Sequence, residues 1–332
     1  MGPSAVLVKG LWAGYDASGF RAPNPEGGMA NHAEQAKRHD TSANTEPIII
    51  PQHVRTEVFA LSHQGHVRDA NEDSFAVFRM GRFMERVMSS VPEGELPSRF
   101  EESGHLMIVA DGLGGHEAGD VASRTALVTA FQLIYRSPRW ALKLDDPSTR
   151  DAEIRDMQAR GRAYLRQVHA ELRHQAAGDS RLAGMGTTFT GVYVVGTDLF
   201  VTHVGDSKAY LFRSGSLNKI THDHTVAQEY ADQGMIAQEE VETHRMHHVL
   251  TRAIGGPDDN LEGDMHHVTI RQADRLLLCT DGLTDMAKDD DIAGVLERHS
   301  RSEDACRALI ALALERGGRD NVTAIVARFT ME

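Results

Sequence analysis

The stretch that decides the fold covers residues 187–220 and reads TTFTGVYVVGTDLFVTHVGDSKAYLFRSGSLNKI. Three runs within it, at 188–195, 199–204 and 209–213, are rich in the β-branched and aromatic residues that favour strands. The breaks between the runs are Gly-Thr-Asp and Gly-Asp-Ser, which are typical of turns. The stretch therefore predicts an antiparallel meander.

Two apolar runs outside this stretch end at an Asp-Gly dipeptide. Residues 106–110 lead into Asp111-Gly112 and residues 275–279 lead through Thr280 into Asp281-Gly282, so both runs are predicted to be buried strands. Strands outnumber the helices available to cross between them, which predicts an α+β fold, mostly antiparallel, with helices outside the sheets. Further predicted strands cover 57–62, 74–78 and 322–329, a charged excursion covers 81–104, and predicted helices cover 117–135, 150–175, 226–248, 290–299 and 302–315.

Length and charge exclude several classes of protein. The chain has 332 residues and a formal charge of −13 at pH 7, which argues against binding the phosphate backbone of nucleic acid. Its longest apolar runs are far shorter than the ~20 residues of a membrane-spanning helix, and we expect no span. No secretory signal is recognised, and two cysteines offer no disulfide framework, so we expect a cytoplasmic protein.

The first part of the chain differs from the rest in composition. Residues 1–46 are rich in Gly, Ala, Asn and Pro and have no sustained helical or strand period. We predict a flexible extension over residues 1–46 and one folded domain over residues 47–332.

Four carboxylates fall at the ends of predicted strands, at Asp111, Asp206, Asp281 and Asp320. Three of them adjoin a glycine, which lets the backbone turn tightly and approach a ligand. Each Asp-Gly pair taken alone is also a common turn. Taken together, converging carboxylates need cations between them, and hard oxygen ligands select Mg²⁺ or Mn²⁺.

Seven motifs, in order, resemble those of the metal-dependent protein phosphatases of type 2C, the PPM-type Ser/Thr phosphatases, and in particular their bacterial branch. The resemblance implies a four-layer α-β-β-α sandwich of two antiparallel sheets flanked by helices, with residues 47–332 as the catalytic domain. The motifs are RDANED (68–73), ADGLGGH (110–116), GMGTT (184–188), HVGDS (203–207), LTRAIG (250–255), TDG (280–282) and RDN (319–321).

The resemblance also implies the roles of individual residues. Two Mg²⁺ or Mn²⁺ ions form the core, with a possible third, and a metal-bridged water attacks phosphoserine or phosphothreonine directly. Arg68 would clamp the phosphate, Asp73 would support the metal shell, and His116 would protonate the leaving group unless it only begins a helix. The implied metal ligands are Glu72, Asp111, the carbonyl of Gly112, Asp206, Asp281 and Asp320.

The expected partners are phosphorylated proteins, which are substrates of a Ser/Thr kinase, and the kinase itself. We expect a monomer and no binding of nucleic acid. The alternative is a pseudophosphatase that binds phosphoproteins with little or no hydrolysis; a metal-dependent nuclease conflicts with the acidic charge. A cysteine-based phosphatase is excluded, because neither Cys279 nor Cys306 is followed six residues later by arginine.

The histidines between residues 222 and 267 are interpreted as a solvated surface, because they have no cysteine partners and lie in polar stretches. In the resembling family, residues 224–248 correspond to a variable flap beside the catalytic centre, so we expect this segment to influence substrate choice. Lys208 departs from the family pattern, in which Arg commonly follows Gly-Asp-Ser.

Overall fold

The computed structural model describes residues 54–331 except for residues 93, 138–143 and 145 and the side chains of residues 116 and 117. The predicted extension, residues 1–46, lies outside the described residues. The strands are β1 Val54–His63, β2 Ser74–Glu85, β3 Arg99–Ala110, β4 Gly112–Leu113, β5 Gly186–Thr187, β6 Phe189–Val195, β7 Asp198–Val204, β8 Lys208–Arg213, β9 Ser216–Lys219, β10 Asp264–Thr269, β11 Arg275–Cys279 and β12 Val322–Met331.

The described chain also contains helices. The α-helices are α1 His116–Tyr135, α2 Arg150–Gly178, α3 Val226–Asp232, α4 Asp281–Thr284, α5 Asp289–Arg298 and α6 Ser302–Glu315, with short 3-10 helices at Ser180–Leu182 and Gln238–Thr243. Among the described residues, no helix combines the length and the apolar character needed to cross a bilayer.

Two antiparallel sheets form the centre of the fold, with strand orders β1-β12-β11-β8-β9 and β10-β7-β6-β3-β2. Alternate residues of one strand face opposite layers. In β3, Met107 and Val109 lie in the core between the sheets, whereas Leu106 and Ile108 pack with α1 and α2. Helices α5 and α6 cover the outer face of the other sheet in the same way. This arrangement confirms the predicted α+β sandwich.

The predicted meander is wrong at its last turn. β6 pairs with β7 from Phe189↔Val204 to Val195↔Asp198, but β8 pairs with β9 and β11 in the opposite sheet. The chain therefore crosses between the sheets at Gly205-Asp206-Ser207. The local pattern predicts the strands but not their partners, since all three are apolar on both faces.

Two other segments differ from the predictions. The excursion at 81–104 contains strand at both of its ends, 81–85 and 99–104, because β2 and β3 form one hairpin paired from Ser74↔Ala110 to Glu85↔Arg99. The predicted helix at 226–248 contains only α3 and a 3-10 helix, and Gly234, with φ 71°, lies between them. β10, which carries His266 and His267, had no predicted counterpart.

Candidate metal centre

Asp111 follows the last residue of the buried strand β3 and is fixed by the chain at β5. Its backbone N–H donates to Thr188 Oγ1 at 2.9 Å, and its carbonyl oxygen accepts from the Thr187 hydroxyl at 2.8 Å. A Cβ at Gly112 would lie 2.2 Å from the carbonyl oxygen of Gly119 in α1, so only glycine allows this close approach. The start of α1 is thereby held against the end of β3.

Glu72 lies on the loop between β1 and β2 and faces the same region. Its N–H donates to Asn321 Oδ1 at 2.8 Å, and its carbonyl oxygen accepts from Ser123 Oγ at 2.7 Å. The carboxylate packs against Gly119. Asn321, which lies between Asp320 and β12, also donates to the carbonyl oxygen of Ala70. It therefore connects the loop that carries Glu72 to the segment that carries Asp320.

Asp73 is buried beside Glu72 and connects three elements. Its Oδ2 accepts hydrogen bonds from the hydroxyls of Thr280 at 2.8 Å and Thr323 at 2.6 Å. Its Oδ1 is buried with no hydrogen-bond partner. The contacts suit the predicted supporting role, because Thr280 immediately precedes Asp281.

Asp206 and Asp281 lie at the ends of strands from the two different sheets. Asp206 is 6% exposed and lies in the crossing turn, where Gly205 has φ 105° and a Cβ would be 2.6 Å from Thr188 Cγ2. Asp281 begins α4 and is separated from the end of β11 only by Thr280; its Oδ1 is also buried without a hydrogen-bond partner.

The carboxylates are close enough to change one another's ionisation. Burial, together with the charges of Asp73, Asp281 and Asp206, holds the pKa of Asp111 well above its usual range. Burial and Asp281 raise the pKa of Asp206 to about 8, and burial raises the pKa of Asp73 to about 7. The sequence-predicted carboxylates thus converge, and their charges repel one another.

The pKa of Asp281 shifts in the opposite direction. Burial acts to raise it, but the interaction with His248 and the charge of Lys208 outweigh burial and lower the pKa. Asp281 therefore carries a negative charge more readily than Asp73, Asp111 or Asp206.

The cluster fits divalent cations on the basis of its own structure. Two buried carboxylate oxygens, Asp73 Oδ1 and Asp281 Oδ1, have no hydrogen-bond partner, and raised pKa values mark a shortage of positive charge. Oxygen donors of this kind suit Mg²⁺ or Mn²⁺.

Arg68 lies at the edge of the cluster, and its side chain is 51% exposed. Its guanidinium donates to Asp320 Oδ2 at 2.5 Å, while Asp320 Oδ1 accepts from the Asn321 N–H at 2.7 Å. The hydrogen bond to Asp320, followed by the charges of Asp320, Glu72 and Asp111, raises the pKa of Arg68. An exposed cation beside a carboxylate cluster is suited to bind an anion there.

His116 is the first residue of α1, and its side chain lies outside the described residues. Its predicted role in proton transfer stays a prediction.

Lys208 makes an ion pair behind Asp206. Its Nζ donates to the backbone carbonyl of Asp206 at 3.0 Å and lies 3.4 Å from Asp223 Oδ2. Burial acts to lower the pKa of Lys208, but Asp223 and then Asp206 outweigh it and raise the pKa. The lysine therefore stays charged next to Asp206.

The solvated-surface interpretation is wrong for His224, which is 4% exposed. Its Nδ1 accepts from the Gly205 N–H at 3.1 Å, and its Nε2 lies 3.3 Å from Asp264 Oδ2. His224 thus supports the turn that presents Asp206. No local pattern in the sequence signals this burial, since the contact joins residues from different elements.

Sequence reasoning also missed Asp285 and His248. His248 Nδ1 lies 3.7 Å from Asp281 Oδ2 and 3.6 Å from Asp285 Oδ2. The position of Asp285, four residues after Asp281 at the end of a helix, was a usable signal, because residues spaced by four share a helix face.

Comparison with known proteins places this arrangement in a family. Residues 75–322 match the family model described as protein phosphatase 2C. "Serine/threonine protein phosphatase PstP" of Mycobacterium tuberculosis is 37% identical over 222 residues, which cover 67% of this chain and 40% of that protein. The chain thus matches less than half the length of this relative. "Serine/threonine phosphatase stp" of Listeria monocytogenes is 29% identical over 79% of this chain and 92% of its own length.

A solved structure has the same fold. The catalytic domain of PstP in complex with 2 manganese ions superposes with a TM-score of 0.63 and 31% sequence identity, covering 84% of this chain and 100% of that domain. Together with the family model, which matches well over half of the chain, this likeness accounts for the sandwich and for the order of the motifs. The chain belongs to the protein phosphatase 2C family.

Proposed function

We propose that this protein is a metal-dependent protein serine/threonine phosphatase. The observation that carries the proposal is the convergence of Asp111, Asp206 and Asp281 at the ends of strands from both sheets, in a chain of this family. The names of the relatives, PstP and stp, support protein phosphoserine and phosphothreonine as the substrate class.

The carboxylate cluster is proposed to hold Mg²⁺ or Mn²⁺. Asp111 would bridge two ions, with the Gly112 carbonyl and Glu72 on one side and Asp281 with Asp320 on the other. Asp206 and Asp281 would hold a weaker third ion. When bound, such ions supply a water activated for attack and neutralise charge on the phosphate.

Arg68 is proposed to bind and orient the substrate phosphate. Its guanidinium is planar and can donate two parallel hydrogen bonds to phosphate oxygens, which lysine cannot. Its hydrogen bond to Asp320 holds it at the edge of the cluster, and its exposure leaves it accessible to a phosphorylated side chain.

Two other residues have proposed supporting roles. Asp73 would position the loop carrying Glu72 and the turn before Asp281 through its two hydroxyl partners. His116 would donate the proton that the departing serine or threonine oxygen needs. Hydrolysis would occur in one displacement, with no phosphoenzyme.

The proposed setting is the cytoplasm, where the protein would act as a monomer and oppose a Ser/Thr kinase. Cys279 and Cys306 are both free and buried, which suits a reducing compartment. The kinase itself is a candidate substrate.

The test is hydrolysis of a phosphothreonine peptide in the presence of Mn²⁺, with release of inorganic phosphate as the measurement. We expect Asp111→Asn and Asp281→Asn to lose about a thousandfold or more of kcat/KM while retaining the fold by circular dichroism. Activity that persists in excess chelator would overturn the proposal. Binding of the phosphopeptide without release of phosphate would point instead to a pseudophosphatase.

A further inference from the structure

Three side chains outside the proposed catalytic set meet beside Asp281. His247 and His248 lie at the end of the flap (residues 224–248), and Asp285 follows α4. One potential ligand atom from each of the three lies within 4.8 Å of the other two. Two imidazoles and a carboxylate are a donor set that divalent first-row metals bind in proteins.

The hydrogen bonding of His247 prepares it as a ligand. Its Nδ1 lies 2.6 Å from the carbonyl oxygen of His244, and a carbonyl can only accept, so Nδ1 carries the hydrogen. In the neutral ring, Nε2 then keeps a free lone pair. Metal-binding histidines are commonly fixed in this way by a backbone carbonyl.

The distances around His248 suit a shared cation better than a hydrogen bond. Its Nδ1 is 3.6 Å from Asp285 Oδ2 and 3.7 Å from Asp281 Oδ2, beyond normal hydrogen-bond length. Ligands about 2.0–2.1 Å from a tetrahedral ion are about 3.3–3.4 Å apart. The atoms of His248 and Asp285 are already near this separation, and the ligand atom of His247 lies within 4.8 Å of both.

We propose that His247, His248 and Asp285 form a site for a Zn²⁺-type cation that fastens the flap to the chain after α4. The site differs from the all-oxygen positions in having imidazole ligands, which favour Zn²⁺ over Mg²⁺. Cation binding at this site does not depend on the proposed function. Its consequence does rest on the proposed function, because a cation here would fix the flap next to Asp281 and so regulate access to the proposed catalytic centre.

The first measurement is Zn²⁺ binding by equilibrium dialysis of the full chain in excess Mg²⁺. We expect the double variant His247→Ala/His248→Ala to bind one Zn²⁺ fewer per chain, or to bind it at least about tenfold more weakly. Asp285→Asn, which keeps the side-chain shape, should weaken binding in the same direction. The control is His222→Ala, because the His222 side chain is 48% exposed, close to the 52% of His248, and pairs with Asp232 instead.

The second measurement reports the flap directly. Arg245 is exposed and lies two residues before His247, so trypsin should cleave after it. We expect Zn²⁺ to slow this cleavage at least about fivefold in the wild type and in His222→Ala, but not in the double variant. Each comparison is made at the same Zn²⁺ concentration, so that any effect of Zn²⁺ on trypsin cancels.

Equal Zn²⁺ affinity and equal cleavage in the wild type, the double variant and Asp285→Asn would overturn the inference. Neither measurement uses phosphatase activity. Failure of this site is therefore distinguishable from failure of the proposed function, which is tested by Asp111→Asn and phosphate release.

Discussion

Asp73 binds two hydroxyls with one carboxylate oxygen and leaves the other oxygen buried without a partner. Asp73→Leu should lower the free energy of unfolding by about 1–3 kcal/mol, because Thr280 and Thr323 lose their buried acceptor. Asp73→Asn retains an acceptor oxygen and should be closer to the wild type in stability. Urea unfolding of the cation-free proteins measures both.

The same pair of variants separates structure from charge at Asp73. Asp73→Asn removes one negative charge from the cluster and should bind Mn²⁺ more weakly, as isothermal titration calorimetry would show. If both variants unfold at the same urea concentration, the two hydroxyl contacts do not carry the stability assigned to them.

Arg68→Lys tests the geometry of the proposed phosphate contact while keeping the positive charge. Lysine cannot form two parallel hydrogen bonds, so we expect kcat/KM for a phosphopeptide to fall at least about tenfold. Mn²⁺ affinity should stay near the wild-type value. The matched control is Arg79→Lys, because Arg79 also pairs with a carboxylate and is 63% exposed, but lies on the β2–β3 hairpin. An unchanged kcat/KM in Arg68→Lys would remove Arg68 from phosphate binding.

The crossing between β7 and β8 is the element that brings Asp206 to the cluster. Gly205→Ala should be destabilising on two grounds, a φ of 105° and a Cβ only 2.6 Å from Thr188 Cγ2. Gly215→Ala isolates the first ground, because Gly215 has φ 82° but open space around its Cβ position. We expect a loss of about 1–2 kcal/mol at Gly215 and at least about 2 kcal/mol more at Gly205.

Thermal and urea unfolding measure this difference, and third-ion binding gives a second readout. Gly205→Ala should also weaken Mn²⁺ binding at the position proposed for Asp206 and Asp281, whereas Gly215→Ala should not. Equal losses of stability in the two variants would mean that the chain relieves the contact with Thr188 by shifting, and that the crossing is not rigid.

Local sequence pattern predicts the strands better than their partners. The apolar run at 106–110 and the Asp-Gly pair after it were sufficient to predict a buried strand with a carboxylate at its end. The pattern at 187–220 could not indicate that β8 joins the other sheet. A strand that is apolar on both faces packs equally well in either sheet, so its sequence does not specify its partner strands. The strand residues at 81–85 and 99–104 were missed because their sequences, GRFME and RFEESG, lack apolar alternation.

In the candidate site, too, some residues are predictable from local sequence and others are not. Asp111, Asp206, Asp281 and Asp320 could be predicted, because each stands at the border of a strand and a turn. The surroundings of His224 could not, since its contacts with Gly205 and Asp264 depend on tertiary packing. A histidine has no local signature that separates a buried support from an exposed side chain.

At the scale of the whole molecule, part of the acidic excess behind the net charge of −13 lies in the buried carboxylate cluster, where negative charge is most costly. In the cation-free protein, burial raises the pKa of Asp206 to about 8 and that of Asp73 to about 7, against 3.8 in the unfolded chain. At pH values above 3.8 and below these raised pKa values, Asp73 and Asp206 keep protons in the folded protein that they have lost in the unfolded chain. Stability from these groups is therefore fully present below about pH 4 and is lost as pH rises towards about 8.

Divalent cations should remove this pH dependence, because they replace the protons that the crowded carboxylates keep. We expect the increase in Tm on adding Mg²⁺ to be larger at about pH 8.5 than at about pH 6, where protons compete for the same oxygens. Saturating cation should raise Tm by at least about 5 °C at the higher pH. Thermal melts followed by circular dichroism, with chelator or with Mg²⁺ at each pH, measure the difference.

Asp111→Asn serves as the comparison for this whole-molecule effect, since it removes the carboxylate proposed to bridge two cations. In that variant the cation-free protein should be more stable than the wild type at about pH 8.5, because one repelling charge is gone, yet Mg²⁺ should raise its Tm far less. A variant that is more stable than the wild type without cations, but is stabilised less when they are added, is what we expect if the cluster holds cations. A Tm increase that is equal at both pH values, and equal in wild type and variant, would instead assign the stabilisation to screening of the acidic surface as a whole.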